Sequence, residues 1–407
     1  MFRNKNKALT ITIEEPIEPE SEEMIQKKNI DIELEKIKAS TSPSFPSMSL
    51  VQENERKVLL SKNNSYLNQL LTYMESENYI NDISFKHISE NSYLKSVSDC
   101  IFINEENSSL LNRNLQSEFQ LLKYITEDNL HKSTQVDLAK NLKRSNNRYS
   151  DMLPYKYNLV PFQETQHHNS TNQHEWYINA SYVNGPFKSD EKCFIATQGP
   201  LASTMGKFYK MCFNKNIKLV IMLCSFEEEG RKKCERYLPS QTNIEKVYED
   251  GIKVVMLKEE WLVRDCLIKR EINITFHDIT KNITHLQMVN WPDYSMPNEI
   301  TGDETITYLI KTIAECREIW PESPVLLHCS AGTGRTGTLI AIFNLVKCLF
   351  FFNSVNYDRE VKPFFSVFNM VRRLREQRPG MVSSLEQYRY IYQFILNWIK
   401  RNIDTAR

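Results

Sequence analysis

Residues 328–337 read H-C-S-A-G-T-G-R-T-G and bring a thiol, a run of small residues and a guanidinium into one short stretch. The chain has only ten glycines in 407 residues, yet Gly332, Gly334 and Gly337 fall within six positions. A strand ending at Cys329, the five small residues Ser330, Ala331, Gly332, Thr333 and Gly334, and a helix opened by Arg335 would make a cradle for an oxyanion. Small residues let successive backbone N–H groups turn toward one centre. The helix N-terminus adds partial positive charge. Arg335 offers a planar pair of donors to two phosphate oxygens. The same donors favour the Cys329 thiolate. Such a site is satisfied by thiolate or by phosphate, with the sulfur placed to attack phosphorus. The plain alternative is a buried structural cysteine. C-x5-R alone arises often by chance, but H-C-x-x-G-x-G-R-T-G between an apolar strand and a helix does not.

The elements that must hold this loop can be read from periodicity. "PVLLH" before it is a short apolar strand of the fully buried kind, and Thr338–Leu349 after it is a buried helix. Upstream, "YINASYV", "CFIAT", "LVIMLC", "VVML", "WLVRDCLI", "INITF" and "THLQMV" read as strands, several with polar/apolar alternation. Helices are predicted at 115–125, 303–319, 365–377 and 385–399. The last opens on Ser384-x-x-Gln387, a capping-box pattern. These elements predict one α/β (α+β) domain over residues 111–402, a mixed sheet with helices packed on it. Residues 1–110 are predicted to be a largely disordered extension, Ser/Pro-rich in "TSPSFPSMS", with a short helix at 58–74. Residues 403–407 form a tail.

Net charge is zero, which gives no push toward nucleic acid. The nine cysteines are scattered without a C-x-x-C pair, which points to a reducing compartment and away from a disulfide scaffold or a zinc site. No signal-peptide core and no membrane-length apolar run is present, so the cytoplasm is expected, with the nucleus left open. The N-terminal segment is expected to serve localisation or regulation, through binding of a regulator or phosphorylation near Ser42-Pro43.

The loop and several further motifs in order resemble the catalytic domain of the non-receptor-type protein tyrosine phosphatases. "NNRYSDMLPY" (146–155) is similar to their phosphotyrosine-recognition loop, and "YINASYVNGP" (177–186) and "FIATQGPL" (194–201) to core signatures. "EEGRKKCERYLP" (228–239) resembles the Glu-bearing loop, "NWPDYSMP" (290–297) the mobile acid loop and "RPGMVSSLEQYRYIY" (378–392) the glutamine loop. The resemblance implies a highly twisted mixed sheet and metal-free, cofactor-free hydrolysis of phosphotyrosine in proteins. It implies Cys329 as nucleophile, Asp293 of Trp291-Pro292-Asp293 as general acid and then base, and Arg335 as phosphate ligand. It further implies that Thr336 hydrogen-bonds the leaving thiolate, Glu228 fixes the Arg335 fork, His328 orients the loop, Tyr149 walls a deep slot and Asp151 holds substrate amides. Gln387 matches a glutamine near the active site. For Thr336 and Gln387 a helix-capping role stands beside the catalytic one, and for His328 a satisfied core histidine.

The departures matter as much. Ser383 stands where the family has the glutamine that positions hydrolytic water. The acid loop has Tyr294-Ser295 where Phe or His, then Gly, are common. Glu229 replaces a frequent Lys. Tyr209 and Phe213 stand where Trp is usual, and Lys156 and Leu159 where an Asp and an Arg are. Two other readings therefore stay open: a weakly active or inactive module that holds phosphotyrosine, favoured by Ser383, and a lipid or dual-specificity phosphatase. Against the latter, lipid-directed loops tend to carry Lys among the five residues, and S-A-G-T-G has none.

Overall fold

The computed structural model describes residues 110–126, 146–161, 177–297, 301–354 and 366–404. The N-terminal extension, with its expected helix at 58–74, lies outside them. In chain order the main elements are α1 (Leu110–Thr126), β1 (Ala180–Val183), β2 (Phe194–Thr197), α2 (Met205–Asn214) and β3 (Leu219–Met222). The small hairpin β4 (Glu227–Glu228) and β5 (Arg231–Lys232) follows, then β6 (Glu245–Val247), β7 (Lys253–Val263), β8 (Leu267–Phe276) and β9 (Ile279–Met288). The chain ends with α3 (Gly302–Ile319), β10 (Val325–His328), α4 (Gly334–Ser354), α5 (Val367–Gln377) and α6 (Leu385–Asp404).

One eight-stranded sheet runs in the order β1-β2-β10-β3-β9-β8-β7-β6. Its centre is parallel: β10 lies between β2 and β3, and β3 pairs with β9. The flanks are antiparallel. The mixed sheet expected from the sequence is thus what the chain forms. Every residue of β10 is buried, which explains its unbroken apolar run: parallel strands covered on both faces do not alternate. β8 alternates instead, and Arg270, Ile272 and Ile274 share its buried face. The helix α4 packs on α5 and on α6, and α1 packs on the same two helices.

Three expectations need correction. "WLVRDCLI" is two strands, because the chain turns between Val263 and Leu267 with Asp265 at φ 57°. The last helix runs to Asp404, through the expected tail boundary. The helix α2 stands where no helix is expected: Phe208, Tyr209, Met211, Cys212 and Phe213 are all buried, and Lys207, Lys210 and Asn214 space its polar positions at i, i+3 and i+7, a period that spans only ten residues. Tyr209 and Phe213 sit in this core, and Tyr209 Oη donates to the Tyr237 carbonyl at 2.9 Å.

Candidate active site

The nucleophile candidate Cys329 follows the C-terminal end of β10 and is 4% exposed. Register fixes its position: His328 pairs with Thr197 of β2 and Met222 of β3. The loop then rises against the β2 end so closely that a Cβ on Gly332, at φ 70°, would collide with the Thr197 carbonyl. A Cβ on Gly334 would collide with Ser383 Oγ and come within 3.0 Å of the Gln387 amide nitrogen. At Gly332 glycine is a packing requirement, because the obstacle is backbone, whereas at Gly334 the obstacles are side-chain ends. Thr333 O accepts from the N–H groups of Gly337 at 2.7 Å and Val382 at 3.3 Å, which ties the loop to the first turn of α4 and to the glutamine loop.

Arg335, 1% exposed, is the hub. Its Nη1 and Nη2 donate to the two carboxylate oxygens of Glu228 at 2.6 and 2.9 Å. Nη1 also donates to the Trp291 carbonyl at 2.7 Å, and Nη2 to Asp293 Oδ1 at 3.1 Å. Burial opposes the Arg335 charge, but the Glu228 hydrogen bonds and the neighbouring Cys329 and Cys224 sulfurs hold its pKa well above the usual value. Glu228 is held in turn by the Ser225 N–H at 3.0 Å. Glu229 is exposed, at φ 50° in the β4–β5 turn.

Asp293 also receives Lys233 Nζ on Oδ2 at 2.5 Å. Partial burial pushes its carboxyl pKa up; the Lys233 hydrogen bond and the Arg335 charge outweigh this and hold it below the ordinary value. The acid loop is buttressed inside as well: Trp291 is buried and its Nε1 donates to the Ser295 carbonyl at 2.8 Å.

On the opposite rim, Tyr149 Oη and Ser330 Oγ lie 2.9 Å apart, and Ser330 Oγ donates onward to the Lys233 carbonyl at 2.8 Å. Asp151 is exposed at this rim and contributes to the field at Tyr294 of the acid loop. Beneath the loop, burial pulls the His328 pKa down to about 4, against the opposing hydrogen bond to the Cys329 carbonyl. A neutral ring carries one N–H. Nδ1 must donate it to the Cys329 carbonyl at 3.1 Å. Nε2 therefore accepts from Tyr237 Oη at 2.8 Å, and His285 Nε2 donates to the same hydroxyl at 2.7 Å.

The capping box at α6 forms only by half. Ser384 Oγ accepts from the Gln387 N–H at 3.1 Å, but the Gln387 side chain reaches Ser383, not Ser384. Its Oε1 accepts from the Ser383 N–H at 3.0 Å and from Ser383 Oγ at 3.3 Å. Both interactions orient the amide the same way, leaving Nε2 toward the loop. Gln387 Nε2, Arg335 Nε and Thr336 Oγ1 are buried with no hydrogen-bond partner. Buried donors of this kind are rare and call for an acceptor, and a tetrahedral oxyanion beside Cys329 supplies several.

Sequence reading missed four residues that hold this arrangement. Lys233 and Tyr237 lie inside the Glu-bearing motif, where Lys233 directly precedes a cysteine. Arg378 heads the glutamine loop; it is fully buried and donates to Gly332 O at 2.8 Å and Ala331 O at 3.0 Å. His285 gave no signal beyond its place in a strand.

Residues 143–397 match the protein-tyrosine phosphatase family. The chain belongs to that family. Its segment is 36% identical over 274 residues to the mouse receptor-type tyrosine-protein phosphatase eta, covering 66% of this chain and 20% of the mouse protein. It is 31% identical over 334 residues to the rat phosphatidylinositol phosphatase PTPRQ, covering 81% of this chain and 13% of the rat protein. The chain thus spans well under two thirds of these relatives. The catalytic domain of human protein tyrosine phosphatase non-receptor type 18 superposes with a TM-score of 0.59 at 27% identity, over 70% of this chain and 96% of that one. The same phosphatase has been solved in complex with HER2-pY1248 phosphopeptides. Receptor-type and non-receptor-type members both appear, so the resemblance to the non-receptor group widens to the family as a whole. Among the described residues, no helix is long and apolar enough to cross a membrane.

Proposed function

We propose that this chain hydrolyses phosphotyrosine in proteins through a cysteinyl-phosphate. One observation carries the reading: a buried thiol, a guanidinium and a carboxyl group converge on one loop, with Arg335 3.1 Å from Asp293. Arg335 Nε and the loop N–H groups receive the phosphate. The Cys329 thiolate attacks phosphorus, the P–O bond to the ring breaks, and Asp293 in its acid form protonates the departing phenolate. Asp293, now a carboxylate, takes a proton from water, whose oxygen attacks phosphorus. The S–P bond breaks, inorganic phosphate leaves, and Thr336 Oγ1 donates to the returning thiolate. Glu228 fixes the guanidinium plane throughout. Tyr149, bridged to Ser330, forms the slot wall, and Asp151 meets the peptide backbone. The peptide complex of the type 18 phosphatase supports this substrate class.

The test is turnover on three substrates. Phosphate release is expected from a phosphotyrosyl peptide, with little from its phosphothreonyl counterpart, whose shorter side chain stops above the thiolate. The third arm is a soluble phosphoinositide, since one relative carries a phosphatidylinositol phosphatase name. Preference for that lipid headgroup would reassign the substrate.

Ser383 favours a second reading, a domain that holds phosphotyrosine with little release. Its hydroxyl is engaged with Gln387 at 3.3 Å and is too short to reach water in line with the S–P bond; Gln387 Nε2 is the remaining amide donor nearby. Misorientation of that water slows the second step. Rapid mixing with a chromogenic aryl phosphate is expected to give a burst of phenol, then a slower steady state that Ser383→Gln accelerates severalfold. Absence of a burst, with Ser383→Gln unchanged, would show that the missing amide limits nothing. A burst without further turnover would favour the holding module.

A further inference from the structure

We propose that Ser384 is a positioning residue that latches the acid loop closed and sets it in register with Gln387. The inference rests on the phosphatase reading above. Ser384 Oγ donates to the Tyr294 carbonyl at 2.6 Å, across 90 residues of chain. The same oxygen accepts from the Gln387 N–H as the first turn of α6 begins. A hydroxyl has one proton and two lone pairs, so the two duties are compatible. The residue that starts the helix carrying Gln387 is therefore also the residue that grips the acid loop.

The loop needs such a grip. Tyr294 is held at φ 56°, a left-handed conformation that an aromatic side chain rarely adopts. Such a conformation persists only where the surrounding structure holds it. The bonds from Lys233 and Arg335 to Asp293 oppose opening, but both depend on the Asp293 charge. They weaken in the reacting complex, where Asp293 must carry a proton and the phosphate competes for Arg335. The Ser384 bond ends on a backbone carbonyl and survives both changes. It thus matters most when the acid is at work.

Ser384→Gly removes the donor while keeping a residue well tolerated at a helix N-cap. Ser384→Thr keeps donor and acceptor. One hydrogen bond's net worth corresponds to about 2–12-fold in a population. The glycine variant is expected to slow the phenol burst, which reads the first chemical step alone, by about that factor on an aryl phosphate with a poor leaving group. It should stay near wild type on one whose phenolate leaves unaided, and the threonine variant should recover. Equal loss on both substrates overturns the latch and leaves a general structural effect. Amide hydrogen exchange over residues 291–297 gives a readout free of turnover: faster in the glycine variant, normal in the threonine variant. Unchanged exchange overturns the proposal. If the wild type turns over no aryl phosphate, the phosphatase reading falls, and the exchange result still decides the latch.

Discussion

Cys329→Ser is expected to abolish turnover of a phosphotyrosyl peptide while leaving the peptide bound. Loss of a covalent nucleophile costs on the order of 10⁶-fold in kcat in well-studied hydrolases, and a serine hydroxyl in place of the thiol would stay protonated in the step where Asp293 must serve as the acid. Binding should persist because the groups that hold phosphate are elsewhere: Arg335, the loop N–H groups and the buried donors that have no other partner. Phosphate release by single-turnover quench, with calorimetry on the same variant, measures both. A serine variant that retains turnover within about a hundredfold would place the chemistry on another residue.

Asp293→Asn is expected to slow the phenol burst by about 10²–10⁴-fold on a poor leaving group, the usual contribution of a placed general acid, and by far less on a good one. The pH dependence follows from its surroundings. With Lys233 and Arg335 on its two oxygens, the Asp293 carboxyl stays ionised to lower pH than usual, despite partial burial that acts the other way. A depressed carboxyl stabilises the closed loop above its ordinary pKa of 3.8, and that contribution is lost as pH falls through the lowered value. Trp291 fluorescence should therefore report loop opening only in acid. Catalysis needs the opposite charge state. A phosphate dianion engages Arg335 and adds negative charge nearby, which raises the Asp293 pKa in the complex. In the wild type the rate of the phenol burst should fall as pH rises through that raised value, and the asparagine variant should lack this limb. A variant that keeps the limb would assign it to a different acid.

What the sequence made legible was whatever is contiguous. Residues 328–337 contain nucleophile, small-residue loop and guanidinium without a gap, so their chemistry could be read directly. The buried strand β10 and the alternating β8 were legible because burial leaves a period in the chain. Lys233 was not, because its meaning depends on Asp293, 60 residues away. Arg378 was not either: an Arg-Pro-Gly stretch reads as a surface turn, and only the fold buries it against a loop 46 residues earlier. The non-glycine left-handed residues Asp265 and Tyr294 leave no mark in composition.

Arg378 has a consequence for what the site can accept. The four groups it donates to are neutral: the carbonyls of Gly332 and Ala331, Asn179 Oδ1 and Ser181 Oγ. Burial lowers its pKa to about 10, well above neutrality. By drawing those two carbonyls rearward it fixes the peptide planes of the loop, so that oxygen faces the protein and N–H faces the ligand. Two guanidiniums then bracket one thin layer of backbone, Arg335 on the reacting side and Arg378 behind. The polarity of the bowl is decided from its back wall, by a side chain that no ligand touches. A neutral mimic of phosphate, however well shaped, would meet a surface wired for charge on both sides.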